Sequence, residues 1–421
     1  MLVRPPRWIS SHVRSYPPHE VESHSPREVD PREGGLAAAD VEAMWDAVLA
    51  LYKTGLHPAI ALCVRRRGHV MLERAVGHLR GNAPTDPPDV RRIPIRYDSL
   101  FNLYSGSKAI TAMLIHMLDE RGAVRLDDAV AEYIPEFAQH GKEWVTIRHI
   151  LTHRAGIPSV PGTKMDLELL SDPERILDVI CRTRPISVPG RRLSYHAFTG
   201  GFVLGEIVRR VTGRDLRAYY RDEVRAPLGF ESFDYGVPRE KIDLVAENAF
   251  TGAPALPPYS WLVERSLGVG IHEAVRLSNA SRFLTAVVPS GNIIGTAEEG
   301  SRFFELLLRG GELDGKRVFE SRTVRRAVAE QSYLEIDSFL GVPIRYGMGF
   351  MLGSRWLSLY GHRTPRAYGH IGFTNVAAWA DPDRDISVCL MTSGKPFITP
   401  GQLAWLNVAR TIARRCPCEP T

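Results

Sequence analysis

The sequence predicts a single α/β lobe closed by both chain termini, with a helical lobe inserted between its halves. Three observations predict it. Short apolar runs of strand length lie near both ends of the 421 residues. Between them, from Leu103 to about residue 284, the apolar period changes to that of helices. No segment repeats at a fixed period, which leaves one layered core rather than a solenoid.

Composition bounds the function classes. Hydrophobic residues make up 44% and charged residues 24%, a globular balance. The net charge of +5 is slight and dispersed, so no basic arm or patch points to nucleic acid. No apolar run approaches the length of a membrane span. The 5 cysteines are odd in number and scattered, except Cys416-Pro417-Cys418. That pattern fits a reduced compartment better than a disulfide framework. The N-terminus lacks the apolar stretch of a secretory signal. The expectation is a cytoplasmic protein, with peripheral membrane contact left open.

Taken in order, residues 1–35 are proline-rich with no helical or strand period and read as a poorly packed extension. Asp40 then opens a helix with Val41, Met44, Trp45, Val48 and Leu49 on one face. Pro58 to Val64 and His69 to Val76 form two strands joined at a glycine turn. Ile110, Met113, Leu114, Met117 and Leu118 make a buried helical stripe that ends at Gly122. Residues 252–262 read as an irregular, partly apolar loop. A helix follows at Phe303–Leu308. Tyr368–Ala380 and Asp385–Met391 read as antiparallel neighbours turning at Asp381-Pro382-Asp383-Arg384, before a last helix from about Gln402 to Ala413. The expected lobes are about 36–104 with 285–421, and about 105–284.

The chemistry starts at Ser105-Gly106-Ser107-Lys108. Three residues apart on a helix, Lys108 reaches the Ser105 hydroxyl. A serine needs a base to become a nucleophile, and a lysine of lowered pKa is one. A helix N-terminus also offers N–H groups to a developing oxyanion. Alone, the pattern is weak. It recurs by chance about once in a few hundred residues, and a capping serine beside a solvated lysine would look the same.

Further segments occur with it in a fixed order. Ile150-Leu151-Thr152-His153-Arg154-Ala155-Gly156-Ile157-Pro158, Tyr195-His196-Ala197, Leu204-Gly205-Glu206-Ile207 and His370-Ile371-Gly372-Phe373 follow one another. Together with Ser-x-x-Lys this series resembles the serine β-lactamase-like superfamily: class C β-lactamases, D-alanyl-D-alanine peptidases and family VIII carboxylesterases. The resemblance spans roughly residues 36 to 410. It implies an antiparallel sheet flanked by helices, a helical lobe beside it, and an active site in the cleft. It implies Ser105 as nucleophile, with Lys108 and Tyr195 sharing general-base and general-acid work. A lysine cation nearby would favour the tyrosinate, and the two groups would titrate together. It places His370 and Gly372 along a strand edge on the substrate side, and the oxyanion between the backbone N–H groups of Ser105 and Phe373.

Two departures from the family pattern shape the expected substrate. Ala197 stands where an amide or hydroxyl is usual, and His370 where β-lactamases carry lysine. Both weaken recognition of a β-lactam or peptide carboxylate and leave ester chemistry intact. The expected activity is hydrolysis of small-molecule or lipid esters through an acyl-enzyme, without cofactor or metal. Peptidase, β-lactamase, acyltransferase and non-catalytic binding readings remain as alternatives. The α/β-hydrolase elbow Gly-x-Ser-x-Gly does not occur. His149 and His153 have a chelating spacing, but the stretch stops at Gly156 and Pro158 and lacks the glutamate that would complete a zinc helix. Pro258, Tyr259, Trp261 and Leu262 are expected to wall the acyl pocket. Oligomeric state is not readable.

Overall fold

The computed structural model describes residues 11–160, 166–257, 260–261, 264, 268–332, 335–397 and 401–419. Its frame is one antiparallel sheet. The strands are β1 (Glu22–His24), β2 (Ala59–Arg66), β3 (His69–Arg80), β4 (Arg345–Tyr346), β5 (Met351–Leu352), β6 (Tyr368–Ile371), β7 (Ala377–Asp381) and β8 (Ile386–Thr392). They lie in the order β1-β3-β2-β8-β7-β6-β5-β4, and Ile93–Pro94 pairs with the end of β3. The β2–β3 hairpin turns on Arg67 and Gly68, both at positive φ (51° and 85°). Such a turn matches the twist of paired strands, which is why a glycine stands there.

Strand β8 joins the two ends of the chain by pairing with β2, with Cys389 opposite Cys63. All seven of its residues are buried, as expected of a strand covered on both faces. One face is covered by α1 (Ala38–Lys53) and α5 (Gly401–Arg415), which pack on each other through Trp45, Leu51, Val408 and Ile412. The other face receives α4 (Ala297–Leu308). Behind it lies α2 (Ser107–Glu120), buried from Ser107 to Leu118, against α3 (Thr199–Thr212) of the helical lobe. A helix covered all round buries its polar residues too, and in α2 these are Ser107, Lys108, Thr111 and His116.

Several sequence expectations are refined. The run expected as one strand from Tyr368 is two, β6 and β7, because Gly372–Val376 turn the chain, with Thr374 and Asn375 at positive φ (39° and 58°). The stretch expected to be poorly packed is tied down in its described part. Ser23 pairs with Ala75 in the sheet, and Val13 and Val21 are buried. Composition hid this because the strand is three residues long between prolines. Asp40 does not precede its helix. It lies in the first turn and accepts the Ala37 N–H at 3.0 Å, the returning half of a capping box. Among the described residues no helix is long and apolar enough to cross a membrane.

Candidate active site

Ser105 sits in a tight turn, Tyr104–Gly106, that leads into α2. The turn is anchored before any side chain acts. The Leu103 N–H donates to Ile293 O at 2.8 Å, and the Ile293 N–H donates to Ser107 Oγ at 2.9 Å. Tyr104 has φ 50°, a left-handed backbone that a bulky residue rarely adopts. Its N–H is held by Asn102 Oδ1 at 2.8 Å. Strain of this kind is kept where surrounding contacts fix it, and here it presents the next residue.

The helical spacing delivers Lys108 as expected. Its Nζ lies 3.0 Å from Ser105 Oγ and donates to Ser290 O at 3.2 Å. Two glycines in α3 make room on that side; a Cβ on Gly201 would stand 2.0 Å from Ser290 Oγ. The Tyr195 ring centroid lies 4.8 Å from Lys108 Nζ, and Tyr195 lines the same cavity as Ser105. Ser105 and Lys108, one helical turn apart, thus meet Tyr195 from a distant stretch of the sequence.

Burial sets their protonation. It pushes Lys108 well below the ordinary lysine range, and it pushes the Tyr195 phenol up, against the Ser105 side chain that draws it down. Both effects favour neutral groups: a free amine beside a protonated phenol. The tyrosinate expected from a lysine cation is therefore the less favoured form of this pair.

Tyr195 is fixed from behind. Its N–H donates to Asp337 Oδ1 at 3.1 Å, and the N–H groups of Phe339 and Leu340 donate to the same oxygen at 2.9 and 3.0 Å. The Tyr346 hydroxyl donates to Asp337 Oδ2 at 3.2 Å. The His153 ring packs 4.8 Å from Tyr195 and 5.1 Å from Tyr346. His153 Nδ1 accepts the His196 N–H at 3.2 Å, which leaves its ring proton on Nε2. His149 Nδ1 accepts the Thr146 N–H at 3.2 Å, so this pair is spent on backbone rather than on a shared ion.

The strand edge meets the turn closely. A Cβ on Gly372 would come 2.5 Å from Leu103 O, so only glycine allows this approach. The Gly372 N–H is taken by Val376 O at 2.8 Å. Among the described residues, the Phe373 N–H makes no backbone hydrogen bond. The Phe373 ring rests 5.5 Å from that of Tyr104.

His370 departs from its expected place. It is buried beside Tyr195, ring centroids 6.2 Å apart, and its Nδ1–H donates to Ile371 O at 2.7 Å. Burial and the neighbouring Lys108 lower its pKa to about 3, so the ring is neutral. It is not among the described residues lining the substrate cavity, whereas Ile371, Gly372 and Phe373 are. Strand alternation explains this: neighbouring side chains leave the strand on opposite faces.

That cavity measures about 370 Å³ and opens over Ser105 and Tyr195. Its walls are apolar: Leu167, Leu277 and Phe283 from the helical lobe, Phe339, Met351 and Leu359 from the sheet side. Of the expected wall residues, Trp261 is 66% exposed and does not line it. Pro258, Tyr259 and Leu262 lie outside the described residues. Among those described, no group of three or more His, Cys, Asp or Glu could hold a metal ion.

The beta-lactamase family profile matches residues 45–413. The chain belongs to the beta-lactamase family. Within that family it is similar to the esterase/beta-lactamase LipL of Mycobacterium tuberculosis, with 28% identity over 323 residues, 71% of this chain and 70% of LipL. Esterase EstB of Burkholderia gladioli is 31% identical over 299 residues, 66% of this chain and 73% of EstB. The crystal structure of a family VIII carboxylesterase superposes with a TM-score of 0.76 at 25% identity, covering 91% of this chain and 99% of that one. The beta-lactamase-type fold expected from the motif series is the fold observed. Sequence reasoning missed Ser290, Asp337 and the walls contributed by residues 339–359. Ser290 acts through its carbonyl, which any residue type would supply. Asp337 gives no motif, because its partners are backbone groups.

Proposed function

We propose that the protein is a serine hydrolase that cleaves small neutral esters through an acyl-enzyme on Ser105. The observation that carries the reading is a buried lysine amine, 3.0 Å from the Ser105 hydroxyl, at the floor of an apolar cavity. An amine without an anionic partner is costly to bury. Its use is to take a proton.

The steps follow from the positions. Neutral Lys108 takes the Ser105 proton as Oγ bonds to the ester carbonyl carbon. The oxyanion that forms faces the N–H groups of Ser105 and Phe373. As the carbon–alkoxy bond breaks, the Tyr195 hydroxyl gives its proton to the leaving oxygen and regains one from the Lys108 ammonium. Water then donates a proton to the same pair and attacks the acyl carbon. The acid leaves, and Ser105 recovers its hydrogen.

The cavity favours an apolar acyl chain. Neutral, buried His370 and the methyl of Ala197 offer no cation or amide to a substrate carboxylate. That supports esters over β-lactams and peptides. Hydrolysis of p-nitrophenyl esters by the parent chain and by Ser105→Ala tests the reading. The variant should lose at least about a thousandfold, and a phosphonate probe should label Ser105 in the parent alone. Equal rates in the two proteins would end the proposal.

A further inference from the structure

Two loops leave the same end of the β4–β5 hairpin. Residues 335–344 enter β4 and residues 353–360 leave β5, with Arg345 paired to Leu352 between them. Each loop has an inner and an outer side. The inner side lines the ester cavity: Leu340 and Ile344 from the first loop and Leu359 from the second, all half-buried. The outer side is apolar as well, and in water. Ile336 is 66% exposed, Val342 45%, Trp356 74% and Leu357 84%. Large apolar groups clustered at a cavity mouth are not the scattered exposure that any surface carries.

The first loop carries Glu335, paired to Arg154, and the buried Asp337; beyond them the charge has one sign. From Ser338 to Ala380 the chain carries four arginines and no aspartate or glutamate. Arg345 and Arg366 are paired to Glu330 and Asp383. Arg355 and Arg363 are exposed, and the Arg355 guanidinium lies 5.9 Å above the Trp356 ring. An exposed tryptophan beside arginine suits the boundary between water and acyl chains, where the ring settles among headgroups and the cation meets lipid phosphate.

We propose that these two loops dock the enzyme on an anionic lipid surface, so that Leu340, Ile344 and Leu359 lead apolar esters from that surface into the cavity. The delivery step rests on the ester-hydrolase reading; the docking itself does not. The surface is one side of the molecule, and no segment needs to refold to expose it.

Sedimentation with phosphatidylcholine vesicles, with and without phosphatidylglycerol, tests it on the full-length Ser105→Ala chain, which leaves lipid esters intact. That chain should pellet with the phosphatidylglycerol vesicles. Trp356→Ala combined with Leu357→Ser should weaken binding about tenfold or more. Trp144→Ala, at an exposed tryptophan in another cleft, should not. Arg355→Glu combined with Arg363→Glu should abolish the preference for the anionic vesicles, as should high salt. No pelleting of the parent, or equal pelleting of the Trp356/Leu357 variant, overturns the proposal. Turnover of a soluble p-nitrophenyl ester is measured in parallel in chains that retain Ser105. It should be unchanged by the loop substitutions. Loss of that turnover in the parent would remove the esterase reading and leave the vesicle result to stand alone.

Discussion

Asp337 offers a test of how the site is held. Its Oδ1 accepts three backbone N–H groups, from Tyr195, Phe339 and Leu340, and its Oδ2 accepts the Tyr346 hydroxyl. The carboxylate is fully buried. Asp337→Ala leaves those donors without an acceptor in the interior. A buried group stripped of its partner costs about 1–3 kcal/mol, and the costs of neighbours do not fully add, so the expected loss is about 3–6 kcal/mol. That is a large part of the roughly 5–15 kcal/mol that holds a native protein together. Asp337→Asn keeps an oxygen for the three N–H groups and turns its NH₂ toward the Tyr346 oxygen. The charge assistance is lost and the Tyr346 O–H gives up its acceptor, about 1–3 kcal/mol. Urea unfolding of the three proteins reads the difference as a shift in midpoint at constant slope. In folded Asp337→Asn, kcat should fall more than KM changes, because Tyr195 is less firmly placed. An Asp337→Ala midpoint within about 1 kcal/mol of the parent, or Asn as costly as Ala, would refute the reasoning.

Three further outcomes are expected. Lys108→Met should be inactive yet more stable than the parent at neutral pH, because the buried amine is gone. The unfolded lysine holds its proton up to about pH 10.4, whereas the folded one releases it well below that, so parent stability rises with pH through this window. The advantage of Lys108→Met should therefore shrink in thermal melts taken at rising pH, and a constant gap would contradict the burial argument. Gly372→Ala must push Cβ against Leu103 O and move the Phe373 N–H; kcat/KM should fall about 10²–10³-fold, and a change under threefold would show that the edge does not serve the oxyanion. Of the cysteines, Cys63, Cys181, Cys389 and Cys416 are buried and Cys418 is exposed. A thiol reagent should titrate one group in the native protein and five in denaturant, a native count above one being the contrary result.

Much of the site was legible because it is built on local spacing. Ser105 and Lys108 meet through one helical turn, so three residues of sequence give their contact. Tyr195 is different. Nothing near it announces a catalytic phenol, and only its place in an ordered series of motifs led to it. Asp337 was beyond reach, since it acts on Tyr195 across 142 positions through a backbone N–H. His370 was read correctly as a strand residue but assigned to the substrate side. One residue of register decides that face, and sequence alone did not show which way the pleat runs. In the fold, long periodic elements such as α2 and the β2–β3 hairpin were plain. The short strands β1, β4 and β5 were not, because two or three residues carry too little alternation to register as a period.

The pairing of β2 with β8 has a consequence for biosynthesis. Ile60 finds its partner at Thr392, more than 300 positions later in the chain. A ribosome that has already released the β2–β3 hairpin must still translate about 300 residues before the neighbouring strand emerges. Throughout that interval one edge of a strongly apolar ribbon is unpaired, and loop closure over such a separation is slow. Nascent chains of this protein should therefore depend on chaperones that shield bare strand edges, and overexpression should favour inclusion bodies at high temperature.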